Sequence, residues 1–82
     1  MTDGLHIKPK LHDRIRVLAG ELKDCEGLIR AVYEADMISA SFTQLEANDF
    51  MRENLVLHPE TKMFHWILAP GEYEIFGRKG GF

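Results

Sequence analysis

The sequence predicts an α+β fold in which a long N-terminal helix and a short second helix pack on one face of a three-stranded antiparallel β-meander. Three observations predict this fold: a heptad-like apolar seam, a helix-capping motif in the middle of the chain, and two turn motifs of hairpin length after it. The chain has 82 residues, of which 45% are hydrophobic and 28% are charged, as expected for one small domain. We expect a single domain 1–82 with an N-terminal arm 1–9, a helical part 10–53, a β-meander 55–76 and a flexible tail 77–82.

The long helix is predicted over residues 10–38, because apolar residues recur there at alternating spacings of four and three. The seam that they form consists of Leu11, Ile15, Leu18, Leu22, Cys25, Ile29 and Val32. Gly20 and Gly27 are possible break points, since a glycine costs about 1 kcal/mol relative to alanine inside a helix. Whether the helix breaks near Gly20 is open at this stage. We expect it to be continuous, because the seam keeps its spacing through both glycines.

The second helix is predicted over residues 43–53, where Thr43 and Glu46 match a capping box. Two strands should follow it, at residues 55–57 and 62–69, with turn residues between them. The segment Ala69-Pro70-Gly71-Glu72 has proline and glycine where a type II turn requires them, and a third strand 73–76 follows. In the strand 62–69, one side carries Phe64, Trp66 and Leu68, and the other side carries Met63, His65 and Ile67.

The seam also predicts self-association. An unbroken helix over residues 10–38 would be about 43 Å long, whereas a compact domain of this size is roughly 30 Å across. The overhanging apolar residues would need a cover, and a two-fold homodimer is the commonest one. We therefore expect the seam to be the interface with a second copy or with another protein.

A group of basic residues lies at the start of the predicted helix. Lys8, Lys10, Arg14 and Arg16 are candidates for binding an anion or an acidic partner. Together with Arg78 and Lys79 in the tail, they also support an alternative function, that of a small nucleic-acid-associated regulator. The net charge of −3 and the isoelectric point near 5.7 disfavour that alternative.

The residue types that could act in catalysis or bind a metal form no recognisable motif. Cys25 lies on the apolar seam, so we interpret it as a small buried side chain. His6, His12, His58 and His65 lack the spacing of a zinc site, and we expect no metal, no cofactor and no enzymatic activity.

The sequence favours a non-enzymatic protein–protein interaction module. We expect a small homodimeric adaptor, regulator or inhibitor that binds a partner protein. The chain has no apolar run long enough to span a membrane, its first residues lack the features of a signal peptide, and it has one cysteine. These features predict a cytoplasmic protein that does not interact with membranes.

Overall fold

Residues 8–77 fold mainly as a five-stranded antiparallel sheet with one short helix. The computed structural model describes residues 8–77, so most of the predicted N-terminal arm 1–9 and most of the predicted tail 77–82 lie outside the described residues. The elements in chain order are β1 (Arg14–Val17), β2 (Glu26–Val32), a 3-10 turn (Glu34–Asp36), β3 (Ile38–Phe42), α1 (Asp49–Asn54), β4 (Phe64–Leu68) and β5 (Tyr73–Gly77). The predicted α+β class, with a long helix on a three-stranded meander, is therefore wrong.

The predicted long helix is replaced by an antiparallel hairpin of β1 and β2. Arg14 lies opposite Leu28, and Arg16 lies opposite Glu26. The connecting loop contains Gly20 with φ +88°, so a helix cannot continue through it. A spacing of seven residues between apolar side chains fits one face of a helix. It also fits a hairpin in which Ile15 on β1, Leu22 in the loop and Ile29 on β2 are buried in one core. The segment 14–17 alternates strictly between arginine and an aliphatic residue, which is the strand pattern that outweighed the heptad spacing.

The second helix is shorter and begins later than predicted. The capping box does form, because the N–H of Thr43 donates to the Glu46 carboxylate at 3.0 Å and the N–H of Glu46 donates to Thr43 Oγ1 at 3.2 Å. It closes only a turn, and α1 begins beyond it with Asn48 as the N-cap, whose Oδ1 accepts from the N–H of Met51 at 3.0 Å. Residues 55–57, which were predicted to form a strand, are irregular and do not belong to the sheet.

The strands lie in the order β4-β3-β2-β1-β5, which makes β4 and β5 the two edges of the sheet. The turn between them is confirmed: Gly71 has φ +92°, and the N–H of Glu72 donates to the Ala69 carbonyl oxygen at 3.0 Å. The predicted pairing of the strands that flank this turn is wrong, since β5 pairs with β1.

The short turn forces the sheet to curl. A closed turn holds the ends of β4 and β5 within about 15 Å of each other. In a flat sheet, four strand spacings would separate them by about 19 Å. The hydroxyl of Tyr73 on β5 donates to the Asp36 carbonyl oxygen beyond β2 at 2.7 Å, a contact that also requires a curved sheet. The result is a curled five-stranded sheet in which β4 and β5 are connected by the turn but are not paired.

The core fills the concave face of this curled sheet. Alternate strand residues point inward, and Leu22 from the β1–β2 loop and Met51 from α1 are buried in the same core. Phe50 of α1 packs edge-on against Trp66 at 5.9 Å between ring centroids. The buried apolar residues are Ile15, Val17, Leu22, Cys25, Ile29, Ile38, Ala40, Phe42, Ala47, Met51, Phe64 and Leu68.

Gly27 allows two neighbouring strands to fit around a large core ring. A Cβ on Gly27 would lie 2.8 Å from ring atoms of Phe42 and would also clash with the Ser41 carbonyl oxygen. The Phe42 side chain is completely buried, so it has little room to move away.

We expect Gly27→Ala to destabilise the protein by about 1–3 kcal/mol, because overpacking forces shifts in the backbone or rotamers. In a helix the same change would stabilise by about 1 kcal/mol, so the sign of the effect separates the two folds. The measurement is urea unfolding, with Gly20→Asn as the control. Nothing lies within 4 Å of a Cβ added at Gly20, so Gly20→Asn introduces only the strain of a left-handed backbone, which asparagine adopts more readily than most residues. A more stable Gly27→Ala variant would contradict the packing described.

Candidate functional site

The predicted interface residues do not form one surface. Ile15, Leu22, Cys25 and Ile29 are buried in the core of the chain itself. Leu11, Leu18 and Val32 are exposed by 56%, 39% and 39%. They lie respectively before β1, after β1 and at the end of β2. The seam was the physical basis for the predicted helical interface, and that basis is absent from the fold.

The outer face of β1 and its neighbours carries a cluster of paired charges, here called the charged face. The Arg16 guanidinium donates to Glu74 on β5 at 3.0 Å and to Glu26 on β2 at 3.2 Å. A guanidinium nitrogen of Arg14 lies 3.8 Å from a carboxylate oxygen of Glu26 and 3.9 Å from one of Glu46. The hydrogen bond to Glu26 raises the pKa of Arg16 above its usual value.

An aromatic ring lies beneath both guanidinium groups. The guanidinium carbons of Arg14 and Arg16 lie 5.5 Å and 5.1 Å from the centroid of the Phe76 ring. Phe76 occupies an extra position in β5, because Gly77 lies opposite Arg14 whereas Ile75 lies opposite Ile15. This bulge places the ring between the two arginines.

The predicted anion site is thus only partly assembled. Arg14 and Arg16 are brought together on one face, but three carboxylates surround them and leave the group with a net negative charge. Lys8 and Lys10 are exposed and precede β1, where the backbone N–H of Lys10 donates to the Asp13 carboxylate at 3.0 Å. An incoming phosphate would have to displace glutamates from the arginines, so the arrangement disfavours anion binding.

Two stacked histidines lie at the start of β4. The rings of His58 and His65 are nearly parallel, with centroids 4.9 Å apart. His58 Nδ1 accepts from the N–H of Glu60 at 3.2 Å, and Thr61 Oγ1 lies 3.2 Å from His65 Nε2. The hydrogen bond from Glu60 uses His58 Nδ1 as its acceptor.

The surroundings of His65 disfavour its protonated form. Burial lowers the pKa of His65 below 6.5, and the charges of His58 and Arg30 lower it further. The Arg30 side chain lies across this outer surface, where its Nε donates to Ser41 Oγ at 3.1 Å. The neutral form of His65 is therefore favoured, and its ring contacts Thr61 Oγ1.

Strand β4 forms one edge of the sheet. All five of its residues pair with β3 in an uninterrupted register, from Phe64 opposite Phe42 to Leu68 opposite Ile38. Its other side has no strand neighbour among residues 8–77. The strand contains no Lys, Arg, Asp or Glu, and Ile67 is 56% exposed. The prediction that Phe64, Trp66 and Leu68 share one side is confirmed: these three contact the core, and His65 and Ile67 face outward.

The opposite edge, β5, differs from β4 in the features that limit strand pairing. It contains the bulge at Phe76 and the charged Glu74. Natural sheets use bulges and charges to protect their edges from adding a further strand. By these criteria β5 is protected and β4 is not.

Cys25 lies beside a shallow groove lined by Lys23, Asp24, Glu26, Glu46 and Asn48. The cysteine is only 8% exposed, and burial raises the pKa of its thiol, an effect larger than the opposite one from the backbone N–H of Asn48. A raised pKa leaves little thiolate at neutral pH, which is unsuited to a nucleophile. Within residues 8–77, no three His, Cys, Asp or Glu side chains are grouped so that they could hold a metal ion.

The comparisons with known proteins leave the geometry as the only guide to function. No family model, curated protein or solved structure matches the chain significantly. No helix in the described part of the chain is long and apolar enough to cross a membrane.

Sequence reasoning missed the open edge and the residues of the charged face other than its arginines. Glu26 on β2 is about 50 residues away in sequence from Glu74 and Phe76 on β5, and they come together only because β1 lies between the two strands. The alternation of Arg14-Ile15-Arg16-Val17 was the available signal, since it places both arginines on one side of a strand.

We expect the stability of the protein to fall as the pH is lowered from 8 to 5.5. The unfolded chain takes up a proton on His65 near pH 6.5, before the folded chain does, so acidification favours the unfolded state. This contribution is fully present above pH 6.5 and is lost as the pH falls towards the lower pKa of the folded state. Urea unfolding across this range should show a slope that His65→Gln reduces.

Titration of the histidine ring signals by NMR tests the cause. The folded protein should show a His65 pKa below 6.5, and Arg30→Gln should raise it because one of the repelling charges is removed. Arg30→Lys keeps the charge and serves as the matched control. A His65 pKa at or above 6.5 in the wild-type protein would contradict the proposed environment.

Proposed function

We propose that the protein is a non-enzymatic protein–protein interaction module that binds an extended segment of a partner protein along strand β4. The observation that carries this proposal is the regular, uncharged edge of Phe64–Leu68, which has a strand neighbour on only one side among the described residues. Such an edge presents backbone N–H and C=O groups that another strand can pair with. An adaptor, a regulator or an inhibitor could each act through this kind of binding.

The chemistry of strand addition divides affinity from specificity. Main-chain hydrogen bonds contribute affinity that depends little on sequence, and alternate side chains select the partner. On β4 the outward side chains are His65 and the exposed Ile67. A partner segment with apolar residues at alternate positions, and without charge opposite Ile67, fits this edge best.

Binding to nucleic acid has weaker support. The arginines on the charged face are paired with Glu26, Glu46 and Glu74, and polyphosphate backbones require unpaired basic groups. Arg78 and Lys79, which the alternative also needed, lie outside the described residues. The cytoplasmic location belongs to the same proposal and is supported by the one cysteine, which is buried as a free thiol.

The test is selection of binding peptides from a displayed random library, followed by mapping of the bound site. We expect selected peptides to be extended and to slow the amide hydrogen exchange of residues 64–68. Ile67→Lys should weaken peptide binding about tenfold or more, because a lysine on an edge strand opposes pairing. Val56→Lys is the matched control, since Val56 is 88% exposed and lies outside the sheet.

Two outcomes would contradict the proposed function. One is the failure of the library to yield any peptide whose binding depends on Ile67. The other is that bound peptides protect residues of the charged face while residues 64–68 exchange as in the free protein.

A further inference from the structure

We infer that the β4 edge of the free protein is covered by a second copy of the chain, which pairs its own β4 antiparallel to the first around a two-fold axis at Trp66. The inference rests on the proposed function, because it names the occupant of the same edge. The product is a continuous sheet of ten strands, five from each copy.

The composition of β4 makes it complementary to itself. In the two-fold register centred on Trp66, Phe64 lies opposite Leu68 of the second copy and His65 lies opposite Ile67 of the second copy. No formally charged side chain meets a like charge in this arrangement, since the strand contains no Lys, Arg, Asp or Glu. The only titratable side chain, His65, has a pKa lowered by burial and is therefore neutral at physiological pH.

The alternative pairing, β4 of one copy with β5 of the next, is disfavoured. The bulge at Phe76 interrupts the register of β5, and Glu74 lies on that strand. A head-to-tail contact of this kind is also not closed by two copies, so it would produce rings or filaments. The isologous pairing through β4 covers the unprotected edge of both copies in one contact.

Self-pairing would regulate the proposed function. A partner segment and the second copy need the same backbone groups of β4, so binding one excludes the other. The apparent affinity for a peptide should therefore fall as the protein concentration rises. A five-residue strand contact is small beside the interfaces of permanent dimers, so we expect a dimer that dissociates in the micromolar range or above.

Sedimentation equilibrium from micromolar to millimolar concentration measures the association. We expect a reversible species of twice the 9.4 kDa chain mass. Ile67→Lys should raise its dissociation constant about tenfold or more, and Val56→Lys should leave it within about twofold.

Disulfide trapping tests the register. In a Cys25→Ser background, a mixture of the His65→Cys and Ile67→Cys chains should form a linked dimer on oxidation, because the two positions lie opposite each other, with Cβ atoms about 4.5–5.5 Å apart. Each variant alone should link poorly, since a residue and its own copy are then diagonal neighbours at about 7–8 Å.

The outcomes separate this inference from the proposed function. Three results would overturn the inference. They are a monomer at all concentrations, an assembly larger than a dimer, and a dimer whose dissociation constant is unchanged by Ile67→Lys. Peptides bound along β4 by a monomer would leave the proposed function standing. A dimer trapped in the predicted register that binds no peptide would support the inference and contradict the proposed function.

Discussion

The architecture depends on one short connection, the turn Ala69–Glu72, which joins strands at opposite edges of the sheet. Gly71 makes this turn possible, because its φ of +92° is strained for a residue with a side chain. A tight turn normally joins two paired strands. Here β5 pairs with β1 instead of with β4, which precedes it in the chain. The sheet has to curl so that the short turn can connect β4 and β5. The curl creates the concave face that all five strands and α1 fill with apolar side chains.

The same curl sorts the remaining residues into surfaces with different properties. Along β1, the inward aliphatic residues enter the core and the outward arginines meet glutamates on both neighbouring strands. Towards β4, the outer surface carries Arg30, the histidine pair and Ile67, and Arg30 is the only one of these with a permanent charge. The sheet therefore has one side on which arginines are paired with glutamates and an edge strand, β4, that contains no Lys, Arg, Asp or Glu. Both β4 and β5 are edges of the sheet formed by the described residues, but β5 carries a bulge and a charged residue and β4 carries neither.

How much of this could be predicted depended on how local each feature was. The Ala69–Glu72 turn and the two sides of the strand 64–68 follow from residues next to one another, and both were predicted correctly. The long helix was wrong because Ile15, Leu22 and Ile29 keep a seven-residue spacing for a different reason: a hairpin and its loop bring them into one core. Strand order could not be predicted, since the pairing of β5 with β1 joins segments almost 60 residues apart. The charged face and the open edge both follow from that pairing.

The pairing of β5 with β1 is consequently the central claim, and cross-strand nuclear Overhauser effects between backbone protons test it most directly. The account predicts contacts between Ile15 and Ile75 and between Val17 and Tyr73, the residues that lie opposite each other in the two strands. It predicts no ladder of contacts between β4 and β5 across their connecting turn. A β4–β5 ladder in place of the β1–β5 contacts, or sequential helical contacts through residues 14–32, would contradict it.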